Sequence, residues 1–498
     1  MDAKQGDASS AIRVGVFVAL ILIYPVTLFF YNLYLHPLSR FPGRKTWMAS
    51  RLPFIRSTLR GDCVHEIRKM HDTYGGIVRI APDEVSFAVG PAWNDIFAHR
   101  PGHREFPRNP VWWNKAPGQP HSIITVGQTD HARMRRVLSY AFSAKALREQ
   151  EPVLQGCVDQ LITRLREKAG GTEVDIVKWY NYCTFDIIGD VAVGEPFGCL
   201  TTGSYHWWVA TIFNHFKASS FLACVRFYPV LEWLLLKSLP AKMMETQRAH
   251  YEEGASKLRR RLKRQPTRPD MIAEVLKNNS ENGMAMDEIE ATFNLMFFAG
   301  SETTATTLSG ITNYLVQCPD IQAKLKKEVR GTFTTEEEIT FTALAKLPYL
   351  NAVIEEGLRM CPPLPGGLPR VVPHGGDTVV GEWLPAGTHV EVHTWSVNRS
   401  AQAFHQPNTF APERWLPEFA QSTFKDDQKA ASQPFSMGPR MCIGKNFAYA
   451  EMRLILARVI WAFDLEPGRS GLLDWNSLRA WGATEKQSIM LRLQHRAT

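Results

Sequence analysis

Cys442 lies in FSMGPRMCIGKNFAYAEMR, residues 435–453, between Gly438 and Gly444 and close to Arg440 and Lys445. A thiol near the start of a helix is favoured as thiolate by the positive end of the helix dipole, and adjacent cations add to that effect. The two glycines let the backbone turn tightly and come close to a flat object, while Phe435 and Met437 offer apolar surface. Such a thiolate is either a nucleophile or an iron ligand. A nucleophile needs a base at hand, and no Cys/His signature supplies one. An iron site with a single protein ligand suits haem, whose equatorial ligands come from the porphyrin.

Three further stretches hold groups that could serve such a centre. VIEEGLRM sets Glu356 and Arg359 three residues apart, on one helix face, and FAPERW adds Arg414. By itself the first pair reads as an ordinary solvated ion pair. In FNLMFFAGSETTATTL, Ala299 and Gly300 are small enough to let a flat cofactor lie against a helix. Thr303 follows Ala299 by one turn, and its hydroxyl can bond back to the carbonyl four residues earlier, loosening the helix into a groove for dioxygen and water. The plainer reading of that stretch is a small-residue packing seam. DHARMRRVLSYAF places His131 and Arg135 one turn apart, with Arg133 and Arg136 between and beyond them, and PPLPGGLPRVVP contributes Arg370. Both sets of cations also fit a solvated basic face or a strand edge.

Together these stretches resemble the cytochrome P450 family of haem-thiolate monooxygenases. Phe435, Gly438, Arg440, Cys442 and Gly444 match its FxxGxRxCxG signature, Ala299, Gly300, Glu302 and Thr303 its AGx(D/E)T motif, and Glu356, Arg359 and Arg414 its ExxR network. The resemblance implies haem (iron protoporphyrin IX) ligated by Cys442, with Phe435, Gly438, Arg440, Gly444, Ala299 and Gly300 around it. It gives Thr303 and Glu302 to proton delivery, which suits general acid chemistry at dioxygen. Glu356, Arg359 and Arg414 become a buried charge network behind the cofactor. His131 stands where the family usually has tryptophan, yet it can still donate to a haem propionate, as can Arg135 and Arg370.

The same resemblance implies one oxygen atom of O2 inserted into a small lipophilic substrate, by hydroxylation or epoxidation. Electrons would come from a separate NADPH-cytochrome P450 reductase, with Lys445 and Arg136 as docking cations. The wording of CPPLPGGLPRVVP and MCIGKNFAYAEMRLILARVIW is most similar to fungal members that decorate secondary metabolites of terpenoid or polyketide type. Trp112, Trp113, Phe298 and Leu364 are the expected substrate-pocket residues, equally readable as core aromatics and aliphatics. Two rival readings remain: a haem-thiolate isomerase or dehydratase that does not use O2, and a non-catalytic membrane-anchored binding protein.

The elements that must position these residues are mostly helices. Helical periodicity covers about 130–168, 175–194, 241–264, 287–317, 319–331, 347–360 and 444–463. β-rich runs at GGIVRIAPDEVSFAVG and DTVVGEWLPAGTHVEVHTW predict a small sheet. The fold class is therefore mainly α: a helical bundle around haem with a small β-rich subdomain. An N-terminal transmembrane helix is expected to precede it, because VGVFVALILIYPVTLFFYNLYL, residues 14–35, has the length and polarity of a bilayer span.

Arg40, Arg44, Lys45 and Arg51 follow that span, against Lys4 and Arg13 before it, so the positive-inside bias leaves the body cytosolic. The expectation is a lumenal segment 1–13, an anchor 14–35 contacting membrane lipid, a proline-rich linker 36–44, and one catalytic domain 45–498 on the endoplasmic reticulum membrane. The sequons at Asn278 and Asn398 would then face the cytosol. Among 498 residues, 57 Lys and Arg against 49 Asp and Glu give a net charge of +8, and no basic run carries interleaved aromatics, so no nucleic-acid partner is expected. The eight cysteines form no CxxC pair, which speaks against zinc and a disulfide scaffold and for a reducing compartment.

Overall fold

The computed structural model describes residues 23–115, 118–239, 241–265, 268–469 and 471–496. Its helices include α1 (Cys63–Tyr74), α2 (Ala92–Phe97), α3 (Gln128–Leu138), α4 (Ala144–Arg166), α5 (Ile176–Val193), α6 (Ile212–Arg226), α7 (Pro229–Ser238), α8 (Ala241–Leu262), α9 (Met286–Gln317), α10 (Pro319–Thr332), α11 (Pro348–Met360) and α12 (Lys445–Ala462). Around α9 pack α5, α8, α10, α11 and α12. The N-terminal end of α9 follows from its sequence: Asp287 and Glu288 occupy the first turn, and Glu288 Oε2 accepts the Ala285 N–H at 2.9 Å. From Ser301 to Val316 every residue of α9 is buried except Thr303. Over that stretch α9 is a core helix, and Thr303 is the one break in its cover there.

The expected helix over 130–168 is two helices. At residues 139–143 the backbone tightens into three-residue turns, from Ala141 N to Leu138 O and from Ser143 N to Tyr140 O. Ser143 then caps α4 by accepting the Ala146 N–H at 3.2 Å. Apolar periodicity carries across such a break, because both helices bury their faces in the same core.

The four-stranded sheet has the order β1 (Ile77–Ala81), β2 (Glu84–Phe87), β7 (His389–Val392), β4 (Arg370–Val371). β2 and β7 run parallel, pairing Glu84 with His389 through Phe87 with Val392. A hairpin joins β5 (Asp377–Val379) to β6 (Glu382–Leu384) through Val380 and Gly381, both at positive φ. Nearer the C-terminus, β3 (Val174–Asp175), β11 (Met490–His495) and β8 (Phe463–Pro467) form one sheet, and β9 (Ala480–Trp481) with β10 (Ala483–Thr484) another.

Residues 36–44, the expected proline-rich linker, pack onto the body. Leu38 and Phe41 are buried against Val85 and Phe87 of the sheet, and the Pro42 carbonyl accepts the Arg79 N–H at 2.8 Å. The packed body thus begins before residue 45. Residues 23–35 are helical, the last turn of π type, and expose Ile23, Phe29, Phe30 and Leu35. Among the described residues no helix is long and apolar enough to cross a membrane; residues 14–22 of the expected span, and residues 1–13, lie outside them.

Candidate active site

Cys442 sits on a loop three residues ahead of α12, held by its own N–H donating to Phe435 O at 2.9 Å. Gly438 is what lets that loop close. It adopts φ of 73°, and a Cβ there would lie 1.9 Å from the Phe97 carbonyl oxygen at the end of α2. Phe435 packs on Tyr449 at 5.1 Å between centroids, with Lys445 Nζ over its ring. Gly444 leaves the space beside Cys442 Sγ open, at 3.9 Å from where a Cβ would stand.

Cys442 is the exposed cysteine of the chain, the other seven being buried or half-buried, yet protein surrounds it closely. Burial pushes the thiol up, and the Gly444 N–H, Arg135 and Lys445 offset this only in part. Arg440, expected to help, points elsewhere. The lowering expected from the helix dipole and the cations is thus outweighed by burial.

Beside this loop, four arginines converge. Residues 106–109 pair with β4, as Val371 N–H donates to Pro107 O at 2.9 Å and Asn109 N–H to Pro369 O at 3.0 Å. This brings Arg108 next to Arg370. Arg440 donates through Nε to Glu105 Oε1 at 2.7 Å and through Nη1 to Val126 O at 3.3 Å, just before α3. Arg370 donates to Phe106 O at 2.9 Å and stands 3.7 Å from Glu105. From α3, Arg135 donates to Met441 O at 2.6 Å.

His131 is buried among these groups: burial, then Arg440, Arg108, Arg135 and Arg370 push it down to about 3, so the ring is neutral at physiological pH. Burial and the neighbouring arginines likewise bring Arg108 down to about 9 and Arg370 to about 10. Cations outnumber their carboxylate here. Buried like charges call for anions, and a flat cofactor with two carboxylates fits the set. Arg108 and Glu105 were not legible in the sequence. Their assignment needs the strand pairing, although Arg108 lies in the PRNPVWW stretch.

The opposite wall is α9. Ala299 is exposed and Thr303 half-exposed, one turn apart, with Thr303 Oγ1 donating to Ala299 O at 2.7 Å. Ser301, Thr304, Thr306, Thr307 and Ser309 make the same backward bond, so that hydroxyl alone does not distinguish Thr303. Its exposure does.

Two expectations on α9 need correction. Gly300 does not face a flat cofactor; a Cβ there would meet Ile188 Cδ1 of α5 at 2.9 Å, so its smallness serves helix packing. Glu302 is not poised freely for proton delivery. It is buried in an ion pair with Lys486, next to the β10–β11 loop, and accepts from Thr306 Oγ1 at 3.2 Å. Lys486 also donates to Asn181 Oδ1 and to Thr306 Oγ1, each at 3.1 Å. Burial pushes the Glu302 carboxyl up and the Lys486 ammonium down, and their mutual attraction opposes both shifts.

The structure brings Glu356, Arg359 and Arg414 together with no exposed surface. Arg359 donates to both carboxylate oxygens of Glu356, at 2.7 and 2.8 Å, and Arg414 Nε donates at 3.1 Å. The Ala411 N–H and Trp415 Nε1 complete the carboxylate's shell at 2.8 and 2.9 Å, and Asp427 pairs with Arg414.

Of the four expected pocket residues, Trp112 packs instead against Phe54 and Phe227 in a satellite cluster. Trp113 lies under Arg108. Phe298 pairs with Phe216 of α6, whose ring is 3.8 Å from where a Cβ of Gly482 would stand, and Leu364 is exposed. Arg133 is tied to Glu288 and Asp130, while Arg136 is exposed.

A family model described as Cytochrome P450 matches residues 42–480. Cytochrome P450 monooxygenase astJ of Aspergillus oryzae is 42% identical over 469 residues, covering 94% of each chain. Averantin hydroxylase of Dothistroma septosporum is 41% identical over 508 residues, covering 99% of this chain and 95% of its own. Cytochrome P450 monooxygenase atr2 of Stereocaulon alpinum is 40% identical over 489 residues, covering 96% of each.

Proposed function

The chain belongs to the cytochrome P450 family and is a haem-dependent monooxygenase, and from that premise we propose that Cys442 is the protein ligand of its haem iron. The observation that carries this reading is the pairing of an enclosed, accessible thiol with a buried arginine excess alongside. When bound, haem supplies reductive activation of dioxygen for insertion of one oxygen atom into a substrate C–H bond or alkene.

In this reading Arg135, Arg370 and Arg440, joined by Arg108, receive the two propionates, with neutral His131 as a further hydrogen-bonding partner. Gly438 and Gly444 shape the loop, and exposed Ala299 would leave room for the cofactor beside α9. Thr303, half-exposed on α9 with its proton on Ala299 O, would offer its hydroxyl oxygen as the acceptor for a proton donor during oxygen activation. Glu302 acts at one remove, by keeping Lys486 and the loop between β10 and β11 docked against α9.

The substrate is a lipophilic small molecule of the secondary-metabolite kind, as the similarity to averantin hydroxylase supports, held by Phe298, Phe216 and Leu364. Two electrons come from an NADPH-dependent reductase docking near Lys445 and Arg136. The chain is anchored by residues 14–35 in the endoplasmic reticulum membrane with its body in the cytosol. Supporting the membrane reading, helical residues 23–35 and α7 both present apolar side chains to the outside, among the latter Val230, Leu231, Trp233 and Leu234.

The test is the absorption spectrum of the reduced, carbon monoxide-treated protein beside Cys442→His. A strongly red-shifted Soret band in the parent, absent from the variant, is the expected result. A histidine-type band in the parent would sink the ligand assignment.

A further inference from the structure

Glu105 is a carboxylate among three arginines, Arg108, Arg370 and Arg440, and its place is built by the backbone. Gly438 brings the Cys442 loop against Phe97, and residues 106–109, directly after Glu105, are bonded to β4. The same framework therefore fixes Glu105, Arg108, Arg370 and Arg440 relative to one another. Arg440 commits Nε to Glu105 and Nη1 to Val126 O, which sets the plane of its guanidinium. Arg370, anchored by Nη1 on Phe106 O, stands 3.7 Å from the same carboxylate oxygen. A guanidinium held by two acceptors at a fixed angle presents its remaining donors in one direction, which is what bidentate carboxylate recognition requires.

We propose that Glu105 is a positioning residue for the haem carboxylates: it aligns Arg440 and Arg370 toward them and, as a fixed negative charge, sets the reduction potential of the bound iron. The inference rests on the haem assignment above. Its physical content is one of charge. Ferric haem gains an electron on reduction, so a fixed anion nearby disfavours the reduced form and its removal favours it.

Glu105→Gln separates charge from shape, because the amide oxygen still accepts the Arg440 Nε–H. The measurement is spectroelectrochemical titration of the haem-loaded protein, with haem content and the carbon monoxide band recorded in parallel. The expected result for Glu105→Gln is an unchanged band position and a reduction equilibrium shifted about tenfold toward ferrous, about 59 mV upward for one electron. Glu105→Asp keeps the charge and is expected to stay at the parent potential. An unchanged potential in a Glu105→Gln protein that retains its haem overturns the proposal, leaving Glu105 a purely structural link. Should Glu105→Gln fail to hold haem, Glu105→Asp decides: retention at the parent potential supports the charge role, and loss in both variants overturns it. Absence of the thiolate-type band in the parent indicts the haem reading instead, independently of Glu105.

Discussion

At the scale of single residues, surroundings reverse what residue type suggests. Cys442 has the helix, the glycines and the cations that ought to favour thiolate, yet burial pushes its thiol up. Glu302 has the sequence position of a proton donor but is sequestered by Lys486. Glu451 of α12 is a third case. Among the described residues neither of its oxygens meets a donor of good geometry, and burial pushes its carboxyl up to about 8, with the Thr304 hydroxyl alongside. The Cys157 and Cys183 thiols nearby are themselves pushed up by burial and stay neutral. A carboxyl raised on folding from its ordinary 4.5 keeps its proton in the folded chain while the unfolded chain releases it. Its stabilising contribution is therefore complete below pH 4.5 and is lost as pH rises to about 8. Glu451→Gln, neutral at all pH, is expected to remove about 2 kcal/mol of the parent's stability loss between roughly pH 6 and 8.5. Denaturant midpoints of both proteins across that range check it; parallel curves would refute it.

At the scale of elements, local spacing was readable where partners lie within a turn, as with Glu356 and Arg359. What spacing could not supply was the depth at which α11 is buried, and depth turns a weak surface pair into a costly buried one. Glu356 joins α11 to the turn at residues 412–415 through Arg414, Ala411 and Trp415. Glu356→Ala leaves Arg359 without a carboxylate in the core and Arg414 with Asp427 alone, and is expected to cost about 3–5 kcal/mol. The expected signature is loss of bound haem together with a fall in the thermal midpoint; retention of full haem content would show that haem binding does not depend on this network. The break between α3 and α4 has the same lesson in reverse. Its cap, Ser143, is legible, but a continuous apolar stripe on both sides hides it.

At the scale of the molecule, the apolar N-terminal helix and α7 expose side chains that a water-facing surface would not favour. Removal of residues 1–35 is expected to leave the carbon monoxide band in place and to weaken sedimentation with phospholipid vesicles. Undiminished sedimentation would assign the attachment to α7 and its neighbours. The sequence by itself determined the chemistry and most of the helices, because the motifs around Cys442, Thr303 and Glu356 are local and their residue types are dictated by backbone turn, small volume or charge. Only the tertiary structure decided which charges meet. Glu105 and Arg440 are 335 residues apart and Glu302 and Lys486 are 184 apart. No local pattern encodes such pairs, since they are selected by the packing of strands and loops onto α9 and by the low dielectric that packing creates.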